Sequence, residues 1–179
     1  MFQIVPSLIP GCYEIIYKQM KDNRGSFTKI FHRDLFKDLK INLELGEEFY
    51  SISSKNVFRG MHFQIPPKAV DKIVTCIKGN ITDYVVDLRK DSPTYKKHLS
   101  FELDGDVPKA IFIPKGLAHG FYVNSEEAIV HYKCSDVYDP ACDTGITYTS
   151  FDFAKEINKP VISEKDLNLV KFEDFNNPF

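Results

Sequence analysis

One stretch of the chain, residues 56–72, concentrates side chains that can move protons and bind anions. It holds the guanidinium of Arg59, the imidazole of His62 and the ammonium of Lys72 among apolar residues, and a double proline lies near its end. Such a run predicts a strand that leads into a loop, with polar groups carried on an otherwise buried framework. This arrangement is typical of an active-site strand.

His62 and Lys72 are candidates for different chemical roles. An isolated strand histidine is usually a hydrogen-bonded core or rim residue. Here the nearness of Arg59 and Lys72 favours a catalytic base, since imidazole exchanges protons near neutral pH. Lys72 stands where the next apolar run begins, and most such lysines are solvated or paired with an aspartate. A functional Lys72 would supply positive charge to an oxygen that becomes negative during a reaction.

Strand alternation predicts which side chains face inward. Strict alternation would put four residues of the first stretch on one face, although the glycine weakens that expectation: Phe58, Gly60, His62 and Gln64. Further along, Tyr132 alternates with Val130 and Cys134, whose small or apolar side chains indicate an inward face. A buried tyrosine is usually a core residue whose hydroxyl finds some acceptor. If Tyr132 projects into the same cavity as His62, its phenol would instead serve as a proton donor.

His119 and Asp166 complete the candidate set, and each has a plainer explanation. His119 follows a Pro- and Gly-containing turn that delivers it to a strand, as in many metal sites. The chain has no His-x-His pair and no carboxylate a few residues after His62, so we expect no metal. Asp166 ends a Ser-x-x-Asp helix-capping pattern that begins at Ser163. Alternatively, the tail brings Asp166 against a ring nitrogen of His62, which would fix the tautomer and stabilise the imidazolium.

The bulk composition excludes several classes of function. The 179 residues, 43% hydrophobic and 13% aromatic, suffice for one domain with a sizeable core. The 23 basic and 25 acidic side chains nearly cancel, so we expect no nucleic-acid partner. No signal-peptide pattern opens the chain and no apolar run approaches the roughly 20 residues of a membrane helix, so we expect a soluble cytoplasmic protein. The cysteines form no CxxC pair and are expected to be reduced and buried: positions 12, 76, 134 and 142.

Hydrophobic patterning predicts one all-β domain, residues 1–179, with a short helix. An N-terminal arm with the helix occupies residues 1–45, a barrel core occupies 46–149, and residues 150–179 form a C-terminal wrap. The arm combines two extended pieces and the amphipathic helix, predicted at 12–17, 26–31 and 31–39.

Turn signals divide the core into short strands. The runs 73–77 and 81–88 flank Lys78-Gly79-Asn80, and this pattern predicts a β-hairpin. Further strands are predicted at 99–103, 110–113, 120–123 and 128–134. Many short strands joined by regular turns indicate a sandwich or barrel.

Motifs in these strands and turns resemble those of the dTDP-4-dehydrorhamnose 3,5-epimerase family, small cupin-type jelly-roll β-barrel proteins. The matching segments follow the family order and span nearly the whole chain: residues 24–27, 56–64, 71–74, 79–95, 113–121, 132–133, 138–140 and 162–166. No single motif is decisive, but the ordered set is specific.

The resemblance implies a role for each candidate residue. It implies that His62 is the base, Asp166 its partner, Lys72 the stabiliser of the oxyanion and Tyr132 the acid. It also implies a set of substrate-binding residues: Arg24, Phe27, Arg59, Gln64, His119 and Tyr138. The resemblance further implies a homodimer with exchanged N-terminal strands. It also implies that the protein uses neither a metal nor an organic cofactor.

Two departures from the family pattern leave the substrate open. Lys29 stands where many members carry glutamate, and Glu47-Glu48-Phe49 replaces the usual Gln-x-Asn. The favoured function is epimerisation at carbons 3 and 5 of a nucleotide-linked 4-keto-6-deoxyhexose. The alternatives are a single-centre epimerase or ketoisomerase on another nucleotide sugar, CDP or GDP linked, and a sugar-nucleotide-binding protein without chemistry. A binding protein needs no paired base and acid, so the retained set disfavours the last of these.

Overall fold

Two facing antiparallel sheets and a separate hairpin make up the computed structural model, which describes residues 2–39, 41 and 43–179. In chain order the strands are β1 Gln3–Pro6, β2 Tyr13–Ile16, β3 Gln19–Asp22, β4 Gly25–Thr28, β5 Glu47–Ser54, β6 Phe58–Gln64, β7 Lys72–Lys78, β8 Asn80–Asp87, β9 His98–Asp104, β10 Lys109–Ile113, β11 Leu117–Val123, β12 Glu127–Cys134 and β13 Asp143–Gly145. The α-helices are α1 Arg33–Asp38 and α2 Glu164–Leu167. Short 3-10 turns lie at Tyr148–Ser150, Asp152–Glu156 and Phe172–Asp174.

The main core lies between the two large sheets. One sheet has the order β1-β2-β10-β7-β12-β5 and the other β13-β6-β11-β8-β9, while β3 and β4 form the hairpin. Side chains from both sheets meet in one buried apolar cluster, to which Val74 and Val130 contribute from one side and Val85 and Phe121 from the other. Each sheet thus buries one face against its neighbour, and this arrangement confirms the predicted all-β jelly-roll class.

The two ends of the chain cover the outer faces of the sheets. In the N-terminal arm, Phe2 and Phe36 belong to a buried cluster with Ile73 of β7. In the C-terminal wrap, the Phe153 ring stacks on that of Tyr84, with 4.3 Å between centroids. Because the wrap follows the five-stranded sheet, it also brings α2 into contact with β6.

Most helix and strand positions agree with the sequence predictions. The helix expected at 31–39 is α1, and the strands expected between residues 99 and 134 are β9 to β12. The four cysteines are buried free thiols, as predicted. The division of the chain at residues 45 and 149 stays a prediction. Within the described ranges, no helix is long and apolar enough to cross a membrane.

The predicted hairpin around Gly79 is wrong. Strand β7 pairs with β10 and β12, whereas β8 pairs with β11 and β9, so the two consecutive strands lie in different sheets. Gly79 has φ +80°, and a Cβ there would collide with the backbone oxygen of Glu127. The tight glycine link therefore carries the chain from one sheet to the other.

Candidate active site

A cavity of about 250 Å³ opens between the two large sheets. Its walls come from strands β5, β6, β7, β11, β12 and β13 and from the loops that follow β6 and β12. The polar or ionisable residues that line it are Glu47, Ser51, Arg59, His62, Gln64, Lys72, His119, Tyr132, Tyr138 and Asp143. The cavity therefore gathers three of the four predicted catalytic residues and four of the six predicted binding residues.

A bulge in β6 decides which of its side chains enter the cavity. The register between β6 and β11 shifts by one residue between Arg59 and His62, and Gly60, which lies in this interval, has φ +138°. Gly60 also lies so close to Gly120 that an added Cβ would be 2.5 Å from the Gly120 Cα. As a result, Arg59 and His62 both line the cavity, while Phe58 is buried in the cluster beneath the C-terminal wrap. The prediction of strict alternation is wrong here, because the extra residue reverses the faces.

His62 is bonded to the carboxylate that arrives with the wrap. Its Nε2 lies 2.7 Å from Asp166 Oδ1, and Asp166 Oδ2 accepts the Gly60 N–H at 3.2 Å. Burial would raise the pKa of the Asp166 carboxyl, but the bonds from His62 and Gly60 hold it below its ordinary value. The Ser163 hydroxyl accepts the Asp166 N–H at 3.1 Å, so the helix cap exists together with the contact to His62.

Lys72 stands at the start of β7, close to His62. Its Nζ donates a hydrogen bond to the backbone oxygen of His62 at 3.4 Å. Burial lowers the pKa of the Lys72 ammonium, and nearby groups that include Cys134, Asp143 and Asp83 offset part of that shift. The amine is thus held inside the cavity rather than in bulk water.

Tyr132 is 8% exposed and points inward from β12, as the alternation predicted. Its ring is stacked on Phe49, with centroids 4.7 Å apart and planes at 17°, and the edge of His119 meets it at 6.1 Å. Burial, assisted by Asp83, raises the pKa of the phenol well above its ordinary value. The hydroxyl therefore keeps its proton at neutral pH.

A second imidazole–carboxylate pair lies deeper in the cavity wall. His119 is 4% exposed and its Nε2 is 2.7 Å from Oδ2 of the fully buried Asp83. Burial raises the pKa of Asp83 against the opposing effect of His119, and its other oxygen makes no hydrogen bond within the described part of the chain. Sequence reasoning missed Asp83. The available signal was its alternation with Ile81 and Val85, which places a carboxylate on an inward face.

Other predicted binding residues lie around the mouth of the cavity. Arg59 Nε donates to the Ser53 hydroxyl at 2.9 Å. Gln64 is buried, and its amide bonds to backbone groups of the loops at residues 68 and 137–139. Tyr138 is 56% exposed, and its N–H donates to a carboxylate oxygen of Glu47 at 3.0 Å.

Arg24 and Phe27 lie away from the cavity within the chain. Both belong to the β3–β4 hairpin, where Arg24 pairs with Asp22 at 2.6 Å and has a side chain 85% exposed. Phe27 is 57% exposed. A single chain therefore does not bring these two residues to the site.

Glu47 and Phe49 both line the cavity, at the positions where the sequence departs from the family pattern. Sequence reasoning noted the departure but gave neither residue a role. Among the described residues, no group of three or more His, Cys, Asp and Glu side chains is arranged to hold a metal ion.

Comparisons with known proteins match nearly the entire chain to one family of sugar epimerases. A family model described as dTDP-4-dehydrorhamnose 3,5-epimerase matches residues 6–174. A dTDP-4-dehydrorhamnose 3,5-epimerase of Shigella flexneri is 34% identical, over 96% of each chain. A dTDP-4-dehydrorhamnose 3-epimerase of Streptomyces niveus is 36% identical, over 90% of this chain and 79% of its own. The structure of a dTDP-6-deoxy-D-glucose-3,5-epimerase of Legionella pneumophila in complex with dTDP-4-keto-L-rhamnose has a TM-score of 0.92 and 31% identity, and covers 98% of this chain and 95% of that one.

Proposed function

The chain belongs to the dTDP-4-dehydrorhamnose 3,5-epimerase family, and from this we propose that it inverts carbons 3 and 5 of a dTDP-linked 4-keto-6-deoxyhexose. The observation that best supports this function is the cavity, which holds an imidazole with its carboxylate, an ammonium and a protonated phenol. It acts as an isomerase that needs only its own side chains. We propose that the protein acts in the cytoplasm.

The chemistry of a 4-keto sugar accounts for these residue types. The hydrogens on carbons 3 and 5 flank the carbonyl, so removing either leaves an enolate whose charge rests on the 4-oxygen. Inversion requires a base on one face of the ring, a cation at the oxygen and an acid on the opposite face. We propose that one side chain of the cavity meets each requirement.

We assign the proton transfers to four residues. Asp166 occupies Nε2 of His62, which leaves Nδ1 to take the proton from the sugar carbon. Asp166 then stabilises the imidazolium, and Lys72 stabilises the enolate oxygen. Tyr132 returns a proton from the opposite face. Solvent then reprotonates Tyr132 and takes up the proton from His62, before the second carbon is inverted and again before the next turnover. Burial raises the pKa of the Tyr132 phenol, so the phenol is protonated when the enolate forms.

We further propose that Arg59, Gln64, His119 and Tyr138 hold the substrate, and that a second subunit supplies Arg24 and Phe27. In such a homodimer the β3–β4 hairpin of one subunit would reach the cavity of the other. Support for a partner comes from large apolar side chains exposed on the hairpin and on the six-stranded sheet: Met20, Phe27, Tyr50, Ile52 and Ile77.

Proton exchange in deuterated water tests the function directly. We expect incubation with a dTDP-4-keto-6-deoxyhexose to place solvent deuterium at carbons 3 and 5, observed by NMR together with the inverted configurations. Deuterium and inversion at carbon 3 alone would favour the second candidate, a 3-epimerase, for which the Streptomyces niveus relative is the supporting observation. No exchange with dTDP, CDP or GDP sugars would contradict the proposal.

A further inference from the structure

We infer that Phe49 is a positioning residue that holds the Tyr132 phenol in the orientation needed for proton return. This inference rests on the proposed function, because it assigns a task to Phe49 only if Tyr132 is the acid. Phe49 stands at a position where this chain departs from the family pattern, so its role does not follow from the resemblance.

The pairing of β5 with β12 places the two aromatic residues side by side. Phe49 and Tyr132 are direct partners in the antiparallel register, so their side chains leave the sheet on the same face. Their rings lie 4.7 Å apart and nearly parallel. On another side, the edge of His119 contacts the phenol, and Asp83 holds that imidazole in turn. The phenol is thus held between a fixed imidazole and the Phe49 face.

Ring packing is the main constraint that the structure places on the phenol. Within the described ranges, the Tyr132 hydroxyl forms no hydrogen bond of normal geometry. Burial raises the pKa of the phenol and the nearby Ser51 hydroxyl lowers it, yet that hydroxyl has no hydrogen-bond partner of normal geometry in the described chain. A tyrosine whose hydroxyl lacks a hydrogen bond of normal geometry depends chiefly on its ring contacts for its orientation. An aromatic stack favours one geometry by about two- to tenfold over an unstacked arrangement.

Burial alone does not account for Phe49. Its side chain lines the cavity and is 45% exposed, whereas the ring that it covers is 8% exposed. A half-exposed phenylalanine on the edge strand of a sheet contributes little to the main core. Its flat contact with the proposed acid is the feature that a merely apolar residue would not reproduce.

Loss of the stack between Phe49 and Tyr132 should slow inversion of the sugar carbon more than its proton exchange with solvent. His62 still removes the proton and exchanges it for deuterium, and it returns the deuterium to the same face with reformation of the carbonyl. That sequence labels the carbon without inverting it. Inversion requires the proton of the phenol on the opposite face, so a misoriented Tyr132 slows inversion selectively.

The test compares inversion with exchange for Phe49→Leu and Phe49→Tyr in deuterated water at saturating dTDP-4-keto-6-deoxyhexose. Leucine keeps the apolar bulk without the flat face, and tyrosine keeps the stack. We expect Phe49→Leu to lower the ratio of inversion to exchange by about two- to tenfold. We expect Phe49→Tyr to keep this ratio near its wild-type value. Tyr132→Phe supplies the limiting phenotype, exchange without inversion.

Each outcome bears on the inference separately from the proposed function. An unchanged ratio in Phe49→Leu, or equal losses of inversion and exchange, would overturn the positioning role while leaving the epimerase intact. A rise in KM at an unchanged ratio would show that Phe49 is a substrate contact only. A wild-type protein without exchange at either carbon would instead contradict the proposed function. Circular dichroism verifies that both variants are folded.

Discussion

The two histidines of the cavity are paired with carboxyl groups whose pKa values are shifted in opposite directions. Asp166 receives donors from His62 and the Gly60 N–H, and its pKa lies below the ordinary value despite burial. Burial raises the pKa of Asp83, which His119 and Lys72 oppose incompletely. A carboxyl group with a lowered pKa ionises more readily than one with a raised pKa, and its negative charge stabilises an imidazolium. We therefore expect His62, rather than His119, to be the ring that gains charge during the reaction.

Removal of the proposed base or acid should abolish most activity without unfolding the protein. General acid–base catalysis contributes about 10²–10⁴-fold per group, so we expect His62→Ala and Tyr132→Phe each to lose activity of at least that order. Turnover measured by NMR, with circular dichroism as the folding control, checks this. Near-normal turnover in either variant would argue strongly against the assigned roles.

The Asp166 contact should also appear in the pH dependence of stability. Because the pKa of Asp166 is depressed in the folded state, its stabilisation is fully present above the unfolded value of about 4 and is lost as the pH falls through the folded value. The free energy of unfolding should therefore differ most between wild type and Asp166→Asn near pH 6. The difference should narrow towards pH 3, as measured by urea titration.

A matched control for that titration is Asp152→Asn. Asp152 pairs with Lys155 at 2.6 Å, but both side chains are more than 80% exposed, so its removal should change stability little at any pH. If the difference in the free energy of unfolding between wild type and Asp166→Asn stays constant down to pH 3, the charge of Asp166 is not what stabilises the fold.

At the scale of strands and helices, local patterns predict the elements but not their irregularities. Apolar periodicity located α1 and β9 to β12, and alternation identified the inward face of Tyr132. The same alternation failed in β6, because one extra residue near Gly60 reverses the faces of the strand. Turn composition failed at Gly79, where a short glycine link has the composition of a hairpin turn but crosses between sheets. Both errors arise from tertiary packing, which a local pattern does not record.

The close approach of β6 and β11 predicts a sensitive glycine. A Cβ on Gly120 would lie 2.7 Å from the Arg59 backbone oxygen and 2.8 Å from Met61 Sδ. We expect Gly120→Ala to force the two strands apart, to cost about 1–3 kcal/mol of stability, and to weaken activity because His62 and His119 are neighbours on those strands. Chemical denaturation measures the loss.

Gly25→Ala provides the comparison for Gly120→Ala. Gly25 has φ +124°, but nothing lies within 4 Å of an added Cβ. Backbone strain alone should make this change cost less than the steric clash at Gly120. Equal losses in the two variants would show that strand separation is not the cause.

At the scale of the whole molecule, the site is assembled from distant parts of the chain. Asp166 is 104 residues from His62 in sequence. It reaches β6 because Val161 pairs with Val57 and exchanges backbone hydrogen bonds with Asn56 and Phe58. Residue spacing alone gave no measure of this convergence, so the pairing of His62 with Asp166 followed from the family resemblance. The hairpin that carries Arg24 lies away from this cavity, and the role that we propose for Arg24 requires a second subunit.

Mixed dimers test whether Arg24 acts on the partner's cavity. A lost charged hydrogen bond to substrate should raise KM of Arg24→Ala roughly tenfold or more, while His62→Ala should be inactive through loss of the base. In a mixed dimer the chain that keeps His62 would receive an intact Arg24 from its partner, and one of the two sites would be complete.

Random pairing in a two-fold dimer predicts about a quarter of wild-type sites, so co-expression at low substrate should regain that share of activity. If Arg24 acts within its own chain, mixing yields only the average of the two variants, and a monomer in light scattering would exclude the shared site altogether.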